Sequence, residues 1–230
     1  MLSLVIPTYN ERENVGKLIE RLEKIFKKNR IVSEIIVVDD NSPDGTADAV
    51  KIFSRKFKNI RLIQRPGKFG LSSAVIDGFK AARGNVLGVM DADFSHPPEK
   101  IPEMFNKINA GVDLVVGSRY AKGGRIENWS ALRKITSKGA TILAMPLTRI
   151  SDPVSGFFML KKSVIAGRKL SPTGYKIGLE IIVKGKYKSA KEIPFAFANR
   201  KSGKSKLNAK EYANYILHLS KLYKYKVLGR

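Results

Sequence analysis

The sequence predicts an α/β fold in which a mostly parallel β-sheet carries helices on both faces. The first observation is that the chain has 230 residues, 43% of them hydrophobic, which is enough for one domain with a full core. The second is a series of short, apolar, β-branched runs, which are typical of strands buried on both faces. The third is that helical patterns lie between these runs, and this alternation favours a parallel sheet.

Seven short segments are predicted as strands. In chain order they span residues 2–7, 34–39, 60–64, 86–91, 113–118, 156–161 and 191–198. Ligands of open parallel sheets bind at the carboxyl ends of the strands. The residues that directly follow each run are therefore the first candidates for a functional site.

Helices are predicted between the strands. In the first, Val15, Leu18 and Leu22 lie on one apolar stripe, and Asn10 with Glu13 forms a capping box at its start. Further helices are predicted at residues 71–82, 98–110, 129–145, 175–186 and 208–226. Residues 1–230 are thus predicted to form one domain that includes a basic C-terminal helix. No apolar stretch approaches the roughly 20 residues of a membrane span, so no transmembrane domain is expected.

The charge of the chain is strongly basic. Its 43 Lys and Arg against 20 Asp and Glu give a net charge of +23, which attracts nucleic acid, anionic lipid or phosphorylated substrates. A lysine-rich, thermophile-type surface without a partner is the alternative. The basic excess is concentrated in residues 119–149 and 199–230, which favours a directed basic face. Cysteine is absent, which excludes disulfides and thiolate metal sites.

Paired carboxylates follow two of the predicted strands. Asp39 and Asp40 follow the second, and Asp91 and Asp93 follow the fourth. Mutual repulsion makes such pairs unfavourable unless a metal or a cationic ligand relieves it. In extended chain, residues i and i+2 face the same side, so Asp91 and Asp93 could both bind Mg²⁺ or Mn²⁺ through oxygen. The alternative is an Asp that caps the next helix together with a surface Asp.

Several other site types are disfavoured. The first strand is followed by Pro7, Thr8 and Tyr9, without the G-x-G-x-x-G fingerprint of dehydrogenases, and no P-loop motif occurs. The two histidines, His96 and His218, are far apart in sequence, so a histidine metal cluster is not indicated. We interpret His96 as a turn or helix-entry residue.

Segments 5–14, 37–46 and 90–98 together resemble the inverting GT-A glycosyltransferases, and most of all the dolichyl-phosphate mannosyltransferases. Segments 70–74, 117–120, 152–157 and 203–207 extend the resemblance, which covers residues 2 to about 220. The resemblance implies the GT-A, Rossmann-like form of the α/β fold.

The resemblance also implies roles for individual residues. A base and ribose pocket is implied for Pro7, Tyr9, Glu11, Val38 and Asp40, and a diphosphate and metal site for Asp91, Ala92 and Asp93. Basic residues that grip the diphosphate or the lipid phosphate are implied at Arg119, Arg200 and Lys206. Asp152 occupies the position of an acceptor-side carboxylate, with an Asp-Pro turn as the alternative. Ser95 stands where some members have a metal-binding Gln, and it is a shorter and weaker ligand.

The chemistry of the implied reaction fits these residues. A lipid phosphate has a second pKa of about 6 and is largely dianionic at neutral pH, so no strong general base is needed. Both reactants are anionic, so cations must hold them close together. The planar guanidinium of arginine can bind two phosphate oxygens at once, which singles out Arg119, Arg133 and Arg200. Asp93, Arg119 and Asp152 are therefore the predicted catalytic residues.

The resemblance implies transfer of mannose from GDP-mannose to dolichyl phosphate, with inversion and with Mg²⁺ or Mn²⁺. Another polyprenyl phosphate reaction, with a UDP-sugar such as UDP-glucose, stays open. We expect peripheral binding to an anionic membrane surface on the cytoplasmic side, with or without a membrane-anchoring partner. A basic nucleic-acid-binding protein is a remote alternative, because the chain has no reader motif. A nucleotidyltransferase is disfavoured because the chain has no glycine-rich phosphate loop.

Overall fold

A computed structural model of the chain describes residues 1–127, 129–171, 173–198 and 209–229, apart from the side chains of Leu132, Ala209 and Lys210. Within these ranges the main sheet has seven strands, in the order β3-β2-β1-β4-β7-β5-β8. Their bounds are β1 Leu2–Thr8, β2 Ser33–Asp39, β3 Ile60–Gln64, β4 Val86–Val89, β5 Leu114–Ser118, β7 Phe158–Lys161 and β8 Ala190–Pro194. A separate parallel pair consists of β6 (Arg125–Ile126) and β9 (Ala196–Phe197). In the main sheet only β7 is antiparallel to its neighbours, which confirms the predicted α/β fold.

Helices cover both faces of the sheet. They are α1 Arg12–Asn29, α2 Thr46–Lys56, α3 Leu71–Ala81, α4 Ile101–Asn109, α5 Ala131–Ala144, α6 Ile177–Lys184 and α7 Ala209–Leu228. One core cluster joins the sheet to α1, α2 and α4, and a second joins the opposite face to α3 and α6. Each face of the sheet thus buries the apolar stripe of two or three helices, as the sequence pattern predicts.

A third, smaller cluster joins α5, α6 and α7 at one end of the molecule. Tyr215, Leu219 and Leu222 of α7 are buried in it. The Tyr215 hydroxyl donates to the Ala140 carbonyl at 2.5 Å, and the Tyr223 hydroxyl donates to the Leu143 carbonyl at 2.7 Å. The C-terminal helix is therefore docked on α5.

Three predicted strands are shorter or differently arranged. The strand predicted at residues 156–161 is β7, which begins at Phe158. β4 ends at Val89, not at residue 91, because its partner β7 begins opposite Val89 and the backbone N–H of Asp91 donates to the His96 side chain. The predicted strand 191–198 is divided at Phe195, where the chain passes from the main sheet to the small one.

The predicted capping box is wrong. Asn10 has a left-handed φ of 57°, and α1 begins at Arg12 with Glu11 in the N-cap position. The Arg12 N–H instead donates to the Asp44 carboxylate at 3.1 Å, so a residue from the loop after β2 satisfies the helix start. Helix α2 was not among the predicted helices. In the ranges that the structure describes, no helix combines the length and the hydropathy that a membrane span requires.

Candidate active site

The carboxyl ends of four strands form the candidate site. β1, β2 and β4 are parallel neighbours, and β5 runs in the same direction because both β4 and β5 are antiparallel to β7. These strands end at Thr8, Asp39, Val89 and Ser118. The predicted site residues from these four segments therefore share one edge of the sheet, where ligands of such sheets bind.

A compact loop at residues 91–96 presents the two predicted metal-binding carboxylates. The Asp91 N–H donates to His96 Nδ1 at 3.0 Å, and the Ser95 N–H donates to Asp93 Oδ1 at 3.1 Å. Phe94, between Asp93 and Ser95, has a left-handed φ of 61°. The carboxylates are thus presented by a turn and not by an extended strand, so the assumed i, i+2 strand geometry is wrong even though both lie at the strand end.

The loop suits a hard divalent cation. The Asp91 side chain is 30% exposed, whereas Asp93 is buried. Ser95 is also buried, and its hydroxyl oxygen has no hydrogen-bond partner among the residues that the structure describes. Within the described ranges, no group of three or more acidic or histidine side chains is placed to hold a metal ion, so the two carboxylates of this loop would be its only charged ligands. An ion bound here through oxygen would keep open positions for water or phosphate oxygens, as Mg²⁺ usually does.

The His96 side chain joins the two ends of this loop, because it accepts a hydrogen bond from the Asp91 backbone. Burial lowers the pKa of His96, although the charges of Asp91 and Asp93 act in the opposite direction. The neutral ring accepts the Asp91 N–H through Nδ1, which assigns its proton to Nε2. The interpretation as a turn residue was correct in position, but it did not include this side-chain hydrogen bond.

An aromatic cluster supports His96 and continues toward Arg119. It consists of His96, Trp129, Phe157, Phe195 and Phe197. The His96 ring stacks on Phe157 at 5.1 Å between centroids, and the Arg119 guanidinium lies 5.6 Å from the centre of the Phe197 ring. The acidic loop and Arg119 therefore pack on the same aromatic base.

Arg119 and Asp152 form a buried, bidentate ion pair. Asp152 Oδ2 accepts from Arg119 Nε and Oδ1 accepts from Nη2, both at 2.7 Å, and the Arg119 backbone N–H donates to Oδ2 at 2.9 Å. Burial acts to lower the pKa of Arg119, but hydrogen bonding and the charge of Asp152 raise it overall. In the part of the chain that the structure describes, Arg119 Nη1 has no acceptor, so it is the nitrogen that remains available to a ligand.

Asp152 pairs with a basic residue and also lies in the turn that was the alternative, whereas its role toward the acceptor stays a prediction. Its side chain is fully buried against Arg119, and its carbonyl accepts from the Ser155 N–H at 3.2 Å in a turn. Glu192 accepts from the Asp152 N–H at 3.2 Å and fixes the same segment from β8. The turn therefore positions the carboxylate that orients Arg119.

The expectation that Asp39 and Asp40 need an external cation is wrong. Arg65 Nη1 donates to Asp40 Oδ1 at 2.5 Å, and the Gly70 N–H donates to Oδ2 at 2.6 Å. Asp39 accepts from the Thr8 hydroxyl at 2.9 Å and from the Ser42 backbone N–H at 2.9 Å. The repulsion is thus relieved within the protein. Sequence reasoning missed Arg65, although it directly follows the third predicted strand.

The predicted base and ribose residues are close together at the ends of β1 and β2. Pro7 is opposite Val38 in the strand register. Tyr9 is partly buried, with Lys68 Nζ 3.9 Å from its ring centre, and Glu11 accepts from Asn14 Nδ2 at 2.9 Å. The Val38 side chain packs into the core, so it offers the pocket only its backbone.

Four other predicted positions have different outcomes. Ala92 packs into the core and so also offers the site its backbone. Arg133 lies with its guanidinium 4.1 Å from the centre of the Trp129 ring, at the edge of the aromatic cluster. Arg200 and Lys206 lie outside the described residues.

Comparison with known proteins identifies one matching family. The family model described as "Glycosyl transferase family 2" matches residues 3–167. A dolichol-phosphate mannosyltransferase of Pyrococcus furiosus is 48% identical over 97% of this chain, which spans 64% of that protein's length. The dolichol-phosphate mannosyltransferases of Mycosarcoma maydis and Saccharomyces cerevisiae are 39% and 38% identical over 97% of this chain, which spans 79% and 87% of their lengths.

Solved structures with the same fold have much lower sequence identity. Glucosyl-3-phosphoglycerate synthase from Mycobacterium tuberculosis, in complex with Mn²⁺, UDP and phosphoglyceric acid, has a TM-score of 0.71 and is 18% identical, with 96% of this chain and 78% of that chain covered. Mannosyl-3-phosphoglycerate synthase from Rubrobacter xylanophilus has a TM-score of 0.69 and is 19% identical, with 100% and 75% covered. These similarities establish the fold.

Proposed function

This chain belongs to glycosyl transferase family 2, and from that premise we propose that it transfers mannose from GDP-mannose to dolichyl phosphate with inversion, giving dolichyl phosphate mannose. One observation carries the proposal: the acidic loop and the buried Arg119–Asp152 pair pack on one aromatic cluster at the same sheet edge. Such an arrangement offers adjacent places to a metal-bound diphosphate and to an anionic acceptor. Similarity to three dolichol-phosphate mannosyltransferases supports the choice of substrates.

In this proposal each charged residue has a separate task. Asp91 and Asp93 would hold Mg²⁺ or Mn²⁺, with Ser95 as a weaker oxygen ligand, and such an ion would neutralise charge that develops on the leaving diphosphate. Asp152 fixes Arg119 so that Nη1 faces the phosphate of the acceptor. The phosphate dianion attacks the anomeric carbon directly, so the site supplies position and positive charge and not a base. Arg200 and Lys206 are proposed to grip the phosphates from the segment before α7.

A turnover assay tests the proposed reaction. With Mg²⁺ or Mn²⁺ and a polyprenyl phosphate, the chain is expected to release GDP from GDP-mannose and to leave UDP-glucose unchanged. If the chain preferred UDP-glucose, the proposed donor would be wrong, but the proposed reaction class, glycosyl transfer to a lipid phosphate, would stand. Absence of turnover with every sugar nucleotide, together with salt-sensitive binding of duplex DNA, would contradict the proposal and favour a nucleic-acid-binding protein.

We further propose that α5 and α7 bind the surface of the membrane that holds the acceptor, on the cytoplasmic side. Ile135 is 69% exposed on α5 and Ile216 is 53% exposed on α7, although both helices also pack against the core. Lysines on the same helices add attraction to anionic lipid, worth about 1 kcal/mol each near the surface. An anchoring partner would act in addition to this contact.

Vesicle sedimentation tests this surface. The double variant Ile135→Ser/Ile216→Ser is expected to bind anionic vesicles about tenfold more weakly, because it removes roughly 1–2 kcal/mol of apolar burial. Ile52→Ser is the matched control, since Ile52 is 65% exposed on α2, away from α5 and α7. Equal binding of the wild-type protein to neutral and anionic vesicles would contradict the proposal.

A further inference from the structure

Lys176, just before α6, is a partly buried cation that sequence reasoning did not single out. Its Nζ donates to the Val154 carbonyl at 2.8 Å. Val154 lies in the segment that begins with Asp152, which binds Arg119. At the other end of that segment, a Cβ built on Gly156 would lie 3.9 Å from the Asp91 carboxylate. The ammonium group of Lys176 is therefore bound to the segment 152–156, which contacts Arg119 at one end and lies next to Asp91 at the other.

Among the residues that the structure describes, no carboxylate forms an ion pair with Lys176. Among the described residues, its polar contact is the Val154 carbonyl, and its nearest ring is Tyr175, at 4.5 Å from Nζ to the ring centre. An ammonium group has three donors, so Nζ keeps two for a ligand. A partly buried cation with unused donors at an active-site edge is suited to bind an anion.

The electrostatic surroundings agree with this geometry. Burial and the charge of Arg119 lower the pKa of Lys176 to about 7, while Asp152 and Asp91 act in the opposite direction. The charged form is thus poorly stabilised in the protein alone. An incoming phosphate would supply the missing negative charge and stabilise the ammonium form.

We propose that Lys176 binds the phosphate group of the lipid acceptor, beside Arg119. This inference rests on the proposed function and assigns a further protein cation to the acceptor. The acceptor is favoured over the donor diphosphate because the segment that anchors Lys176 also carries Asp152, the partner of Arg119. After burial, the charge of Arg119 is also the largest cause that lowers the pKa of Lys176, so the two cations are close enough to interact.

Titration with farnesyl phosphate, in the presence of GDP and Mg²⁺, tests the inference directly. Lys176→Met keeps the length of the side chain but not its charge. It is expected to weaken farnesyl phosphate binding about 10- to 100-fold, the usual effect of one charge-assisted contact. Binding of GDP alone should change less than about twofold, and Lys176→Arg should restore part of the acceptor affinity.

Lys162→Met is the matched control. Lys162 Nζ also donates to a backbone carbonyl, that of Ala82, at 2.8 Å, but it follows β7 at the opposite end of the sheet. This variant should bind farnesyl phosphate like the wild-type protein. A similar loss in both variants, or a loss of GDP binding in Lys176→Met, would overturn the assignment to the acceptor.

The same titration separates this inference from the proposed function. If the wild-type protein turns over GDP-mannose and Lys176→Met binds farnesyl phosphate normally, only the role of Lys176 is overturned. If the wild-type protein binds farnesyl phosphate through Lys176 but turns over no sugar nucleotide, only the proposed reaction fails. If the wild-type protein does not bind farnesyl phosphate, both are overturned.

Discussion

Replacing Arg119 by lysine is expected to lower kcat/KM for the lipid phosphate by about 10²–10³-fold, the usual cost of one preorganised charged donor. Arg119 uses Nε and Nη2 to bind Asp152 and so leaves Nη1 for the ligand. A lysine ammonium is a single point of charge and cannot bind both groups with the same fork geometry. Steady-state kinetics with varied lipid phosphate and saturating GDP-mannose measure this effect.

Stability must be measured alongside these kinetics. The pair is buried, and a buried charge that loses its partner typically costs 3–5 kcal/mol, so a neutral replacement of Arg119 would confuse folding with activity. Lysine keeps the charge next to Asp152, and we expect a fall of roughly 1–2 kcal/mol in the free energy of unfolding. Arg125→Lys is the control, because its pair with Glu127 is exposed. Wild-type kinetics in a folded Arg119→Lys variant would exclude Arg119 from the site.

Replacing Asp93 by asparagine is expected to lower kcat by about 10³-fold, since metal stabilisation of a leaving group is worth several kcal/mol. The amide oxygen of Asn can still accept the Ser95 N–H that Asp93 Oδ1 accepts at 3.1 Å, so the loop should keep its shape. What is lost is the negative charge that holds the divalent ion. Initial rates at increasing Mn²⁺ concentration measure the change.

Two controls define this experiment. Asp48→Asn removes one charge from an exposed position on α2, where the carboxylate pairs with Lys51, and it should leave turnover unchanged. A chelator should abolish turnover by the wild-type protein and have little further effect on Asp93→Asn. Turnover by the wild-type protein that persists in the chelator would contradict a metal-dependent step.

The main sheet was predictable because its strands are fixed by local patterns. Short apolar runs such as Ile60–Gln64 have the predicted bounds, and the ends of β1, β2 and β5 differ by at most one residue. The position of the candidate site then followed from the topology of parallel sheets. Strand ends that depend on tertiary contacts were not predictable in the same way. β4 stops at Val89 because β7 begins opposite that residue and because the Asp91 N–H donates to His96 and not to a neighbouring strand.

The charged partners within the site could not be read from the sequence. Asp40 is neutralised by Arg65, which is 25 residues away, and Arg119 by Asp152, which is 33 residues away. Both pairs form where separate loops meet, so no local spacing indicates them. Arg65 had a recoverable signal, because it directly follows a predicted strand. Lys176 had none, since its position depends on a carbonyl 22 residues earlier in the chain.

Mn²⁺ binding in the presence of GDP tests the central claim, that Asp91 and Asp93 hold a divalent ion against a diphosphate. Electron paramagnetic resonance of free Mn²⁺ should show binding by the wild-type protein that GDP strengthens. In an Asp91→Asn/Asp93→Asn variant, this binding should weaken at least about 100-fold, in line with the loss of two charged oxygen ligands. Equal Mn²⁺ binding by the two proteins, with GDP present, would contradict the account.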